Sequence, residues 1–453
     1  MLSDAFGKYD IRGIYPKTIN ENMFYCIGRA VRDVFGGKKF VVGCDARISG
    51  IALKTALCKG LVDSDCEVFD IGLCGTEMIY FAVAHLGMDG GFMVTASHNP
   101  KEYNGLKFVG KNSQPITKRE MDKIKKSVNI NSLSHTITKR GMVKKINIID
   151  AYIKNIISNI NVNVLKPLKI VTNAGNGTAG CIIDALEKYL PFEFVKIHHE
   201  PNGVFPNGIP NPLLCENRKD TSIAVCESGA DMGVAWDGDF DRCFIFDEKG
   251  HMIEGYYLVG YLAQRFLKTK LGDKVIHDER LIWNTIDIIR ENGGVPVISR
   301  CGHTFFKEKM RELDAVYGGE MSSHHYFRSF SYCDSGMIPW LLVSEELSKT
   351  SGIRLSELMK PYVDKYPISG EINVKVKDAD FILQQIEKEY GINGSVSKSD
   401  GISIMFDKWR FNLRKSNTEP LLRLNIETKY DKELLNNKRV ELLEKITEFD
   451  YGN

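Results

Sequence analysis

Residues 233–242 read GVAWDGDFDR, and this stretch decides how the rest of the chain is interpreted. A short apolar run, typical of a buried strand, leads directly into a polar loop with three aspartates. Two further stretches repeat the arrangement, MVTASHNP at 93–100 and AVYGGEMSSHH at 315–325. Parallel α/β sheets bind ligands at the carboxyl ends of their strands. The repeated pattern therefore predicts several α/β domains, each contributing one loop at a strand end.

Outward from these loops, short β-rich apolar runs alternate with longer helical stretches between residue 39 and about residue 350. Such alternation is typical of βα units that build mostly parallel sheets. The runs lie at 39–43, 66–71, 91–94, 168–172, 192–197, 232–235, 274–277 and 295–298. After about Tyr366 the pattern changes to strands in series with flanking helices, which predicts a smaller antiparallel α+β domain. Its strands are expected at 371–376, 402–407, 409–413 and 421–428, and its helices at 379–390 and 432–448.

Length and composition narrow the class of protein. At roughly 100–200 residues per domain, 453 residues predict about three or four domains. Hydrophobic residues at 43% and charged residues at 26% are ordinary for a globular protein and exclude a disordered or fibrous one. The net charge of +2 argues against a dedicated nucleic-acid or membrane-surface binder. The 11 scattered cysteines and the polar N-terminus predict a soluble cytoplasmic protein with reduced thiols. No obligate protein partner is evident.

The acidic loop is the strongest candidate for a metal site. Asp237, Asp239 and Asp241 place like charges at alternating positions, where they repel one another unless a cation neutralises them. Oxygen ligands favour a hard ion, Mg²⁺ or Ca²⁺. An EF-hand is excluded, because Arg242 stands where its sharp turn needs glycine and because the apolar run 243–246 predicts a strand. A solvated acidic face is the structural alternative.

Three other polar loops have chemical interpretations beside ordinary structural ones. Ser97 in TASHNP could be exposed to a phosphate at a strand end, although Ser, Asn and Pro are also common turn residues. The run GGEMSSHH at 318–325 offers a carboxylate, hydroxyls and imidazoles that suit sugar hydroxyls and proton transfer. The run RKSNT at 414–418 suits a phosphate monoester, or else a solvated turn.

A glycine pattern supports a different class of function. The sequence GNGTAG at 175–180 matches G-x-G-x-x-G after a predicted strand, and Glu200 follows 20 residues later. That is the form of a dinucleotide-binding fingerprint, which would indicate a nicotinamide-dependent oxidoreductase. A tight βα turn that needs glycine explains the same residues.

Taken together, the four polar loops resemble the signatures of the α-D-phosphohexomutase superfamily, in its order and spacing over essentially the whole chain. They are the TASHNP, DGDxDR, GEMS and RxSNTEP loops. Further similar stretches are KYDIRG at 8–13, DARIS at 45–49, PNGIPNP at 206–212 and HDERLIWNT at 277–285. The last of these, together with GGEMSSHHYFRSF, is most similar to bacterial phosphomannomutases.

The resemblance implies three related α/β domains with mixed sheets plus a smaller C-terminal α+β domain, arranged around a central cleft. The implied domains are a phosphoserine domain 1–146, a metal-binding domain 147–251, a sugar-binding domain 252–365 and a phosphate-binding domain 366–453. The implied activity is reversible conversion of mannose 6-phosphate to mannose 1-phosphate, through a phosphoserine and a hexose 1,6-bisphosphate that also serves as activator. The product would feed GDP-mannose and surface polysaccharide synthesis.

The resemblance also implies roles for individual residues. Ser97 carries the phosphate, and Mg²⁺ is held by Ser97, Asp237, Asp239 and Asp241. The other catalytic residues expected are Lys107, His324, Arg12 and Arg242, with Lys107 and His324 as the candidates for proton transfer. The expected substrate-binding residues are Tyr9, Arg280, Gly302, His303, Glu320, Ser322, Arg414, Ser416, Asn417 and Thr418.

Two positions depart from many relatives and keep alternatives open. Phe240 replaces a glycine, and Arg280 stands where many bifunctional relatives have lysine. The Arg280 difference bears on sugar recognition, so activity on glucose stays an open question. A phosphoglucomutase or bifunctional phosphohexomutase is the alternative within the superfamily. A metal-dependent phosphatase with a serine nucleophile would share the acidic loop without needing the sugar loop. By the same resemblance, GNGTAG is a βα turn of the second domain, which removes the support for an oxidoreductase.

Overall fold

The computed structural model describes residues 5–129, 139–268, 271–350, 352–416 and 421–451. The chain forms two compact units, which we call unit 1 and unit 2. Unit 1 consists of Met1–Met252 with His324–Leu355, and unit 2 of Ile253–Ser323 with Ser356–Asn453. Within the described ranges, no helix combines the length and the hydropathy that a membrane span requires.

Helices and strands alternate along most of the chain. The strands are β1 (Asp10–Ile14), β2 (Lys39–Cys44), β3 (Glu67–Leu73), β4 (Gly90–Val94), β5 (Tyr103–Gly110), β6 (Met142–Lys145), β7 (Lys169–Asn173), β8 (Glu193–Ile197), β9 (Met232–Trp236), β10 (Cys243–Phe246), β11 (Lys274–Asp278), β12 (Val295–Ser299), β13 (Tyr317–Gly319), β14 (His325–Phe327), β15 (Cys333–Asp334), β16 (Ile372–Lys375), β17 (Ser395–Ser397), β18 (Ile402–Met405), β19 (Trp409–Lys415) and β20 (Leu421–Thr428). The helices are α1 (Glu21–Phe35), α2 (Gly50–Val62), α3 (Thr76–His85), α4 (Lys118–Asn129), α5 (Ile149–Ile157), α6 (Ala179–Glu187), α7 (Lys219–Ser228), α8 (Gly255–Leu267), α9 (Trp283–Glu291), α10 (His303–Glu312), α11 (Ile338–Lys349), α12 (Leu355–Lys365), α13 (Ala379–Tyr390) and α14 (Lys432–Tyr451).

The first sheet of unit 1 is mixed, in the order β1-β5-β4-β2-β3-β6. Strands β4, β2, β3 and β6 run parallel, while β5 is antiparallel to both β4 and β1. Every residue of β4 is buried, as expected for a strand covered on both faces. The antiparallel register places Lys107 opposite both Met93 and Asp10. Lys107 therefore lies beside the end of β4, which leads into Ser97.

The second sheet of unit 1 has the order β10-β9-β7-β8. Its strands β8, β7 and β9 are parallel, and β10 turns back antiparallel to β9. Strand β9 is entirely buried and ends at Trp236, so Asp237 is the first residue beyond the strand. The predicted mixed α/β sheets and the position of the acidic loop at a strand end are confirmed.

In unit 2, the strands β12, β11 and β13 are parallel, and Glu320 follows directly after β13. The C-terminal strands form a sheet in the order β16-β20-β19-β18-β17, with antiparallel pairs throughout. Helices α13 and α14 accompany this sheet, so the predicted α+β class is confirmed. Strand β17 was not predicted, because its short Ser-Val-Ser sequence is exposed and carries no apolar alternation. The boundaries expected for the four domains stay predictions.

A buried carboxylate, Glu77 in the first turn of α3, connects distant parts of unit 1. It accepts hydrogen bonds from Tyr152 Oη, from Ser335 Oγ at 2.9 Å, and from the backbone N–H groups of Gly336 at 2.5 Å and Met337 at 3.2 Å. Burial raises the pKa of Glu77 to about 8, and the four donors oppose this rise.

This raised pKa predicts a pH-dependent stability. The folded pKa of Glu77 lies above its ordinary value of 4.5, so folding takes up a proton between those pH values. The resulting stabilisation is complete below pH 4.5 and is lost as the pH rises to about 8. Glu77→Gln cannot ionise, so we expect wild type to lose stability relative to the variant between pH 5 and 8. The loss should be on the order of 1 kcal/mol per pH unit. Urea unfolding of both proteins at several pH values measures their free energies of unfolding. If these free energies change with pH by the same amount in wild type and Glu77→Gln, the prediction is wrong.

Candidate active site

The loop that carries Ser97 is held in one conformation by buried polar groups. Ser97 follows β4 with a φ of 50°, a left-handed conformation that is uncommon for serine. Its backbone N–H donates to Thr95 Oγ1 at 2.8 Å, and Thr95 Oγ1 donates to Asp45 Oδ2 at 2.6 Å. These contacts stabilise the strained turn and fix where the Ser97 hydroxyl points.

The guanidinium of Arg47 also holds the Ser97 loop through hydrogen bonds to its backbone. It is almost fully buried and donates to four backbone carbonyls, those of Ser97, Asn99, Pro100 and Tyr103, at 2.6–2.8 Å. A planar group with five donors can satisfy several carbonyls that no strand or helix would otherwise pair. Arg47 belongs to the DARIS stretch, so this explains structurally why that stretch accompanies TASHNP.

The acidic loop meets Ser97 directly. Ser97 Oγ donates to Asp237 Oδ2 at 2.8 Å. The Lys107 ammonium donates to Asp239 Oδ2 at 2.7 Å and to Asp241 Oδ2 at 2.5 Å. All five side chains are buried. The structure therefore brings the predicted phosphate carrier, the predicted metal ligands and Lys107 into one cluster.

This cluster fits a hard divalent cation. The three aspartates offer oxygen atoms that lie within 4.8 Å of one another. Among the described residues, the Oδ1 atoms of Asp239 and Asp241 are buried without a hydrogen-bond partner. Buried polar atoms are ordinarily paired, and carboxylate oxygens are the ligands that Mg²⁺ prefers. The residues therefore match the donor set of a magnesium site.

The charges of the cluster shift its pKa values. Burial and the neighbouring Asp239 raise the pKa of Asp241 to about 6. Burial alone would lower the pKa of Lys107, but Asp239 and Asp241 raise it above its ordinary value. Lys107 is therefore a fixed positive charge in this arrangement and is poorly suited to accept a proton.

Two arginines contact residues of the Ser97 and acidic loops. Arg242 donates through Nε to Asp237 Oδ2 at 2.9 Å, and its terminal nitrogen contacts His98 Nδ1. Arg12 donates to Asn99 Oδ1 at 2.6 Å. Burial lowers the pKa of His98 well below its ordinary value, and the nearby cations lower it further. His98 is therefore neutral and can accept the hydrogen bond from Arg242.

His324 also belongs to unit 1. Its Nδ1 lies 2.8 Å from Asp334 Oδ2, and Asp334 is completely buried. Asp241, His324 and Asp334 offer polar atoms within 4.8 Å of one another, so His324 adjoins the acidic loop. A carboxylate at Nδ1 orients the ring and favours the tautomer in which Nε2 is the basic nitrogen.

At position 240 the acidic loop has phenylalanine where many relatives have glycine, and the structure shows how the larger side chain fits. Its φ of 42° is a left-handed conformation that favours glycine. The ring is fully buried against Gly75, where a Cβ atom would lie only 2.2 Å from the ring. The room that Phe240 needs is therefore supplied by a glycine at the start of α3.

The glycines of 175–180 serve close packing. A Cβ at Gly177 would lie 2.7 Å from the carbonyl oxygen of Gly238, and one at Gly180 would lie 2.1 Å from that of His199. The turn between β7 and α6 thus packs closely against the rest of the protein: Gly177 lies against the acidic loop, and Gly180 against His199. This supports the interpretation as a βα turn and removes the basis for a nucleotide site.

In unit 2, Arg280 lies beside the predicted sugar loop. Its terminal nitrogen donates to Asp278 Oδ2 at 2.8 Å and lies 3.5 Å from Ser322 Oγ and 3.9 Å from Glu320 Oε2. Glu320 accepts from the backbone N–H of Gly302 at 2.9 Å. These residues meet because β11 and β13 are parallel neighbours whose carboxyl ends share one edge.

An arginine cluster surrounds Glu371 in unit 2. Arg414 donates to Glu371 Oε2 at 3.0 Å and Arg423 to Oε1 at 3.2 Å, while Arg280 lies 3.6 Å away. Burial alone would raise the pKa of Glu371, but the three guanidinium groups lower it. Within the described ranges, the Nε atom of each of these arginines is buried without a partner. The cluster has donors for a further anion.

Of the other predicted substrate-binding residues, His303, Ser416 and Tyr9 lie within the described chain. His303 is the first residue of α10. Ser416 follows β19, and its backbone N–H donates to the carbonyl of Leu421 at 3.0 Å. Tyr9 is half-buried, and its ring lies 5.0 Å from Lys8 Nζ. Asn417 and Thr418 lie outside the described residues.

Four family models match the chain in order. They are the phosphoglucomutase/phosphomannomutase α/β/α domain I at residues 3–134, domain II at 150–250, domain III at 254–366 and the C-terminal domain at 371–445. The chain belongs to the phosphoglucomutase/phosphomannomutase family.

Individual members of the family agree. The chain is 51% identical to a phosphomannomutase of Vibrio cholerae over 98% of its length and 99% of the relative. It is 51% identical to a Xanthomonas campestris protein named phosphohexose mutases, with the same coverage. A crystal structure of a family protein from Burkholderia thailandensis superimposes with a TM-score of 0.87 at 29% identity, covering 99% of this chain and 98% of that one.

Sequence reasoning missed several residues of these clusters. Asp334 and Glu371 stand alone in ordinary surroundings, so no local signal distinguishes them. Thr76, whose hydroxyl contacts Asp239 Oδ2, begins a helix far from the acidic loop in sequence. Arg423 could have been found, because the strands predicted at 409–413 and 421–428 form a hairpin that pairs it with Arg414.

The raised pKa of Asp241 predicts that cation binding depends on pH. A metal ligand must be deprotonated, and only about a tenth of a group with a pKa of about 6 is ionised at pH 5. We expect the Kd for Mg²⁺, measured by calorimetry, to be about 10-fold higher at pH 5 than at pH 7.5. Asp241→Asn should bind Mg²⁺ weakly with a much flatter pH dependence. Equal affinity of wild type at both pH values would refute the assignment.

Proposed function

We propose that the protein is a phosphomannomutase that interconverts mannose 6-phosphate and mannose 1-phosphate. The observation that carries the proposal is the hydrogen bond from Ser97 Oγ to Asp237 inside a buried acidic cluster. It supports Ser97 as a phosphate carrier beside a cation. The family, and relatives named phosphomannomutase at about half identity over nearly the full chain, supply the reaction and the sugar.

We assign the cation as Mg²⁺, held by Asp237, Asp239, Asp241 and one oxygen of phosphorylated Ser97. When bound, it would neutralise charge on the transferring phosphoryl group. The chain adds positive charge of its own through Lys107, Arg242 and Arg12. Arg242 contacts the carboxylate that holds the Ser97 hydroxyl, so it can stay near the phosphate before and after transfer.

His324 is the better of the two predicted proton-transfer residues. Lys107 is paired with two carboxylates that stabilise its charged form. His324 is oriented by Asp334 through Nδ1, so Nε2 can take a proton from the attacking hydroxyl and return it in the second half-reaction. Hexose 1,6-bisphosphate is the intermediate, and it also rephosphorylates Ser97 as an activator.

Unit 2 supplies contacts to the phosphosugar. Glu320, Ser322 and Arg280 can accept from and donate to sugar hydroxyls. By the family's pattern, Gly302, His303 and Tyr9 are also assigned to substrate binding. Arg414 lies with Arg423 and Arg280 around Glu371, and among the described residues its Nε has no hydrogen-bond partner. This concentration of guanidinium groups suits the phosphate that is not reacting. Ser416, Asn417 and Thr418 complete this phosphate-binding set by the family's pattern.

A bifunctional phosphohexomutase is the second candidate. The Xanthomonas campestris relative, as similar as the Vibrio protein, is named for hexoses in general. Mannose and glucose differ only in the orientation of the 2-hydroxyl. One hydrogen bond is worth ~0.5–1.5 kcal/mol, so the preference for mannose should be about 2- to 10-fold. GDP-mannose supply and a cytoplasmic location complete the proposal.

A coupled mutase assay with mannose 6-phosphate and glucose 6-phosphate tests the function. We expect conversion of both, with mannose preferred, and loss of activity after chelation with recovery on adding Mg²⁺. Ser97→Ala should be inactive and should lack the phosphoryl mass that wild type carries after incubation with the bisphosphate. Preference for glucose 6-phosphate would favour the alternative. Release of inorganic phosphate without isomerisation would indicate a phosphatase instead.

Arg414→Ala should weaken substrate binding in both directions. A charge-assisted hydrogen bond contributes roughly 1.5–3 kcal/mol, so KM should rise about 10- to 100-fold. Phosphorylation of Ser97 by an excess of bisphosphate should persist. Lys445→Ala is the control, because Lys445 lies on α14, pairs with Glu389 and Glu448, and belongs to no predicted site. Unchanged KM in a folded Arg414→Ala protein would exclude the phosphate-binding role.

A further inference from the structure

A short loop between β11 and α9 presents Arg280, and its backbone is held by side chains of the C-terminal sheet. Residues 279–282 lie between the strand and the helix. The Ile282 carbonyl accepts from the Ile286 N–H of α9, and the Arg280 N–H donates to Asp278 Oδ1, but other backbone groups of the loop need further partners. Unpaired backbone groups are costly when buried, so their partners determine where the loop lies. Those partners are Arg410 on β19 and Glu427 on β20, which face each other across the two strands.

Arg410 binds the first half of the loop. It is almost fully buried, and its two terminal nitrogens donate to the carbonyl oxygens of Arg280 and Glu279, each at 2.9 Å. One of these nitrogens also donates to Glu427 Oε1 at 2.7 Å. The planar guanidinium suits this geometry, because its two ends reach neighbouring carbonyls at once.

Glu427 binds the second half of the loop. It is completely buried and accepts from the backbone N–H of Ile282 at 2.7 Å and from that of Trp283 at 3.2 Å. The Tyr256 hydroxyl also donates to it, and accepts from the backbone N–H of Asn284 at 2.8 Å. The pair therefore fixes the backbone on both sides of Arg280 up to the start of α9.

Stability alone is a weak reason to retain such a pair. Desolvation of two charges offsets most of their attraction, and apolar replacements of similar volume are often equally stable. The pair does, however, define one loop position. Strand β19 carries Arg410 and, four residues later, Arg414, and alternation in a strand places both on one face. The same strand thus contacts the loop of Arg280 and the arginine cluster at Glu371.

We propose that Arg410 and Glu427 form a positioning pair that sets the place of Arg280, and thereby the affinity for hexose phosphate and the preference between mannose and glucose. The inference rests on the proposed function, in which Arg280 contacts the sugar. Neither Arg410 nor Glu427 takes part in phosphoryl transfer.

The test compares two variants with a matched control. Arg410→Lys keeps the ion pair but loses the fork that binds two carbonyls. Arg410→Met with Glu427→Met preserves volume and leaves no unpaired charge buried, so it is a second route to a folded variant in which the loop has lost both partners. Arg218→Met is the control, because Arg218 also donates to two consecutive carbonyls, those of Pro212 and Leu213, in a loop with no assigned site residue.

Calorimetric Kd values for mannose 6-phosphate and glucose 6-phosphate are measured on folded protein, beside thermal unfolding and the coupled assay. We expect both Kd values to rise about 3- to 10-fold in the Arg410 variants, which is the effect of roughly one hydrogen bond. The ratio of the Kd for mannose 6-phosphate to that for glucose 6-phosphate should also change. KM should change more than kcat, and Arg218→Met should match wild type.

Binding and sugar ratio within twofold of wild type in a folded Arg410 variant would overturn the proposal. An equal loss in Arg218→Met would also overturn it, by showing a general effect of destabilisation. A wild type that binds both sugars without isomerising them would refute the proposed function, while the Kd comparison would still decide the positioning role.

Discussion

Compensation of buried negative charge is the constraint on which unit 1 depends. Asp237, Asp239 and Asp241 are nearly inaccessible to water, and isolated carboxylates in such a place would be strongly destabilising. Lys107 and Arg242 face them in the described structure. Lys107 comes from β5 of the other sheet, so the antiparallel turn-back of β5 beside β4 is a requirement of the site.

The loops of unit 1 are held by hydrogen bonds from buried side chains. Arg47 satisfies four carbonyls of the Ser97 loop, and Glu77 accepts four hydrogen bonds from elements far apart in sequence. Thr76, next to Glu77, reaches Asp239. One helix start therefore contacts both the acidic loop and the segment after Asp334. Phosphoryl transfer relies on prepositioned charge, which such fixed loops can provide.

In unit 1, three carboxylates face two cations. In unit 2 a single carboxylate lies among arginines. Glu371 lies among three guanidinium groups, and Glu427 pairs with Arg410. The two clusters differ in a way that matters for function. In the described part of the chain, the three arginines at Glu371 have buried Nε donors without a hydrogen-bond partner, and three guanidinium groups face one carboxylate. In the Arg410–Glu427 pair, the terminal nitrogens and oxygens form hydrogen bonds with backbone groups, so the pair can hold a loop in place.

The sequence by itself determined the α/β class, the C-terminal α+β domain and the three strand-end loops, because burial makes strands apolar and chemistry makes the loops after them polar. Its resemblance to a known family also predicted that Ser97, the aspartates and Lys107 would belong to one site. Tertiary structure alone decided which cations and carboxylates pair. Asp334, Glu371, Arg410 and Glu427 are single charged residues in unremarkable surroundings, and their partners lie up to 145 residues away. Pairing over such distances depends on which strands and loops become neighbours in the fold, and local patterns of hydrophobicity do not encode that.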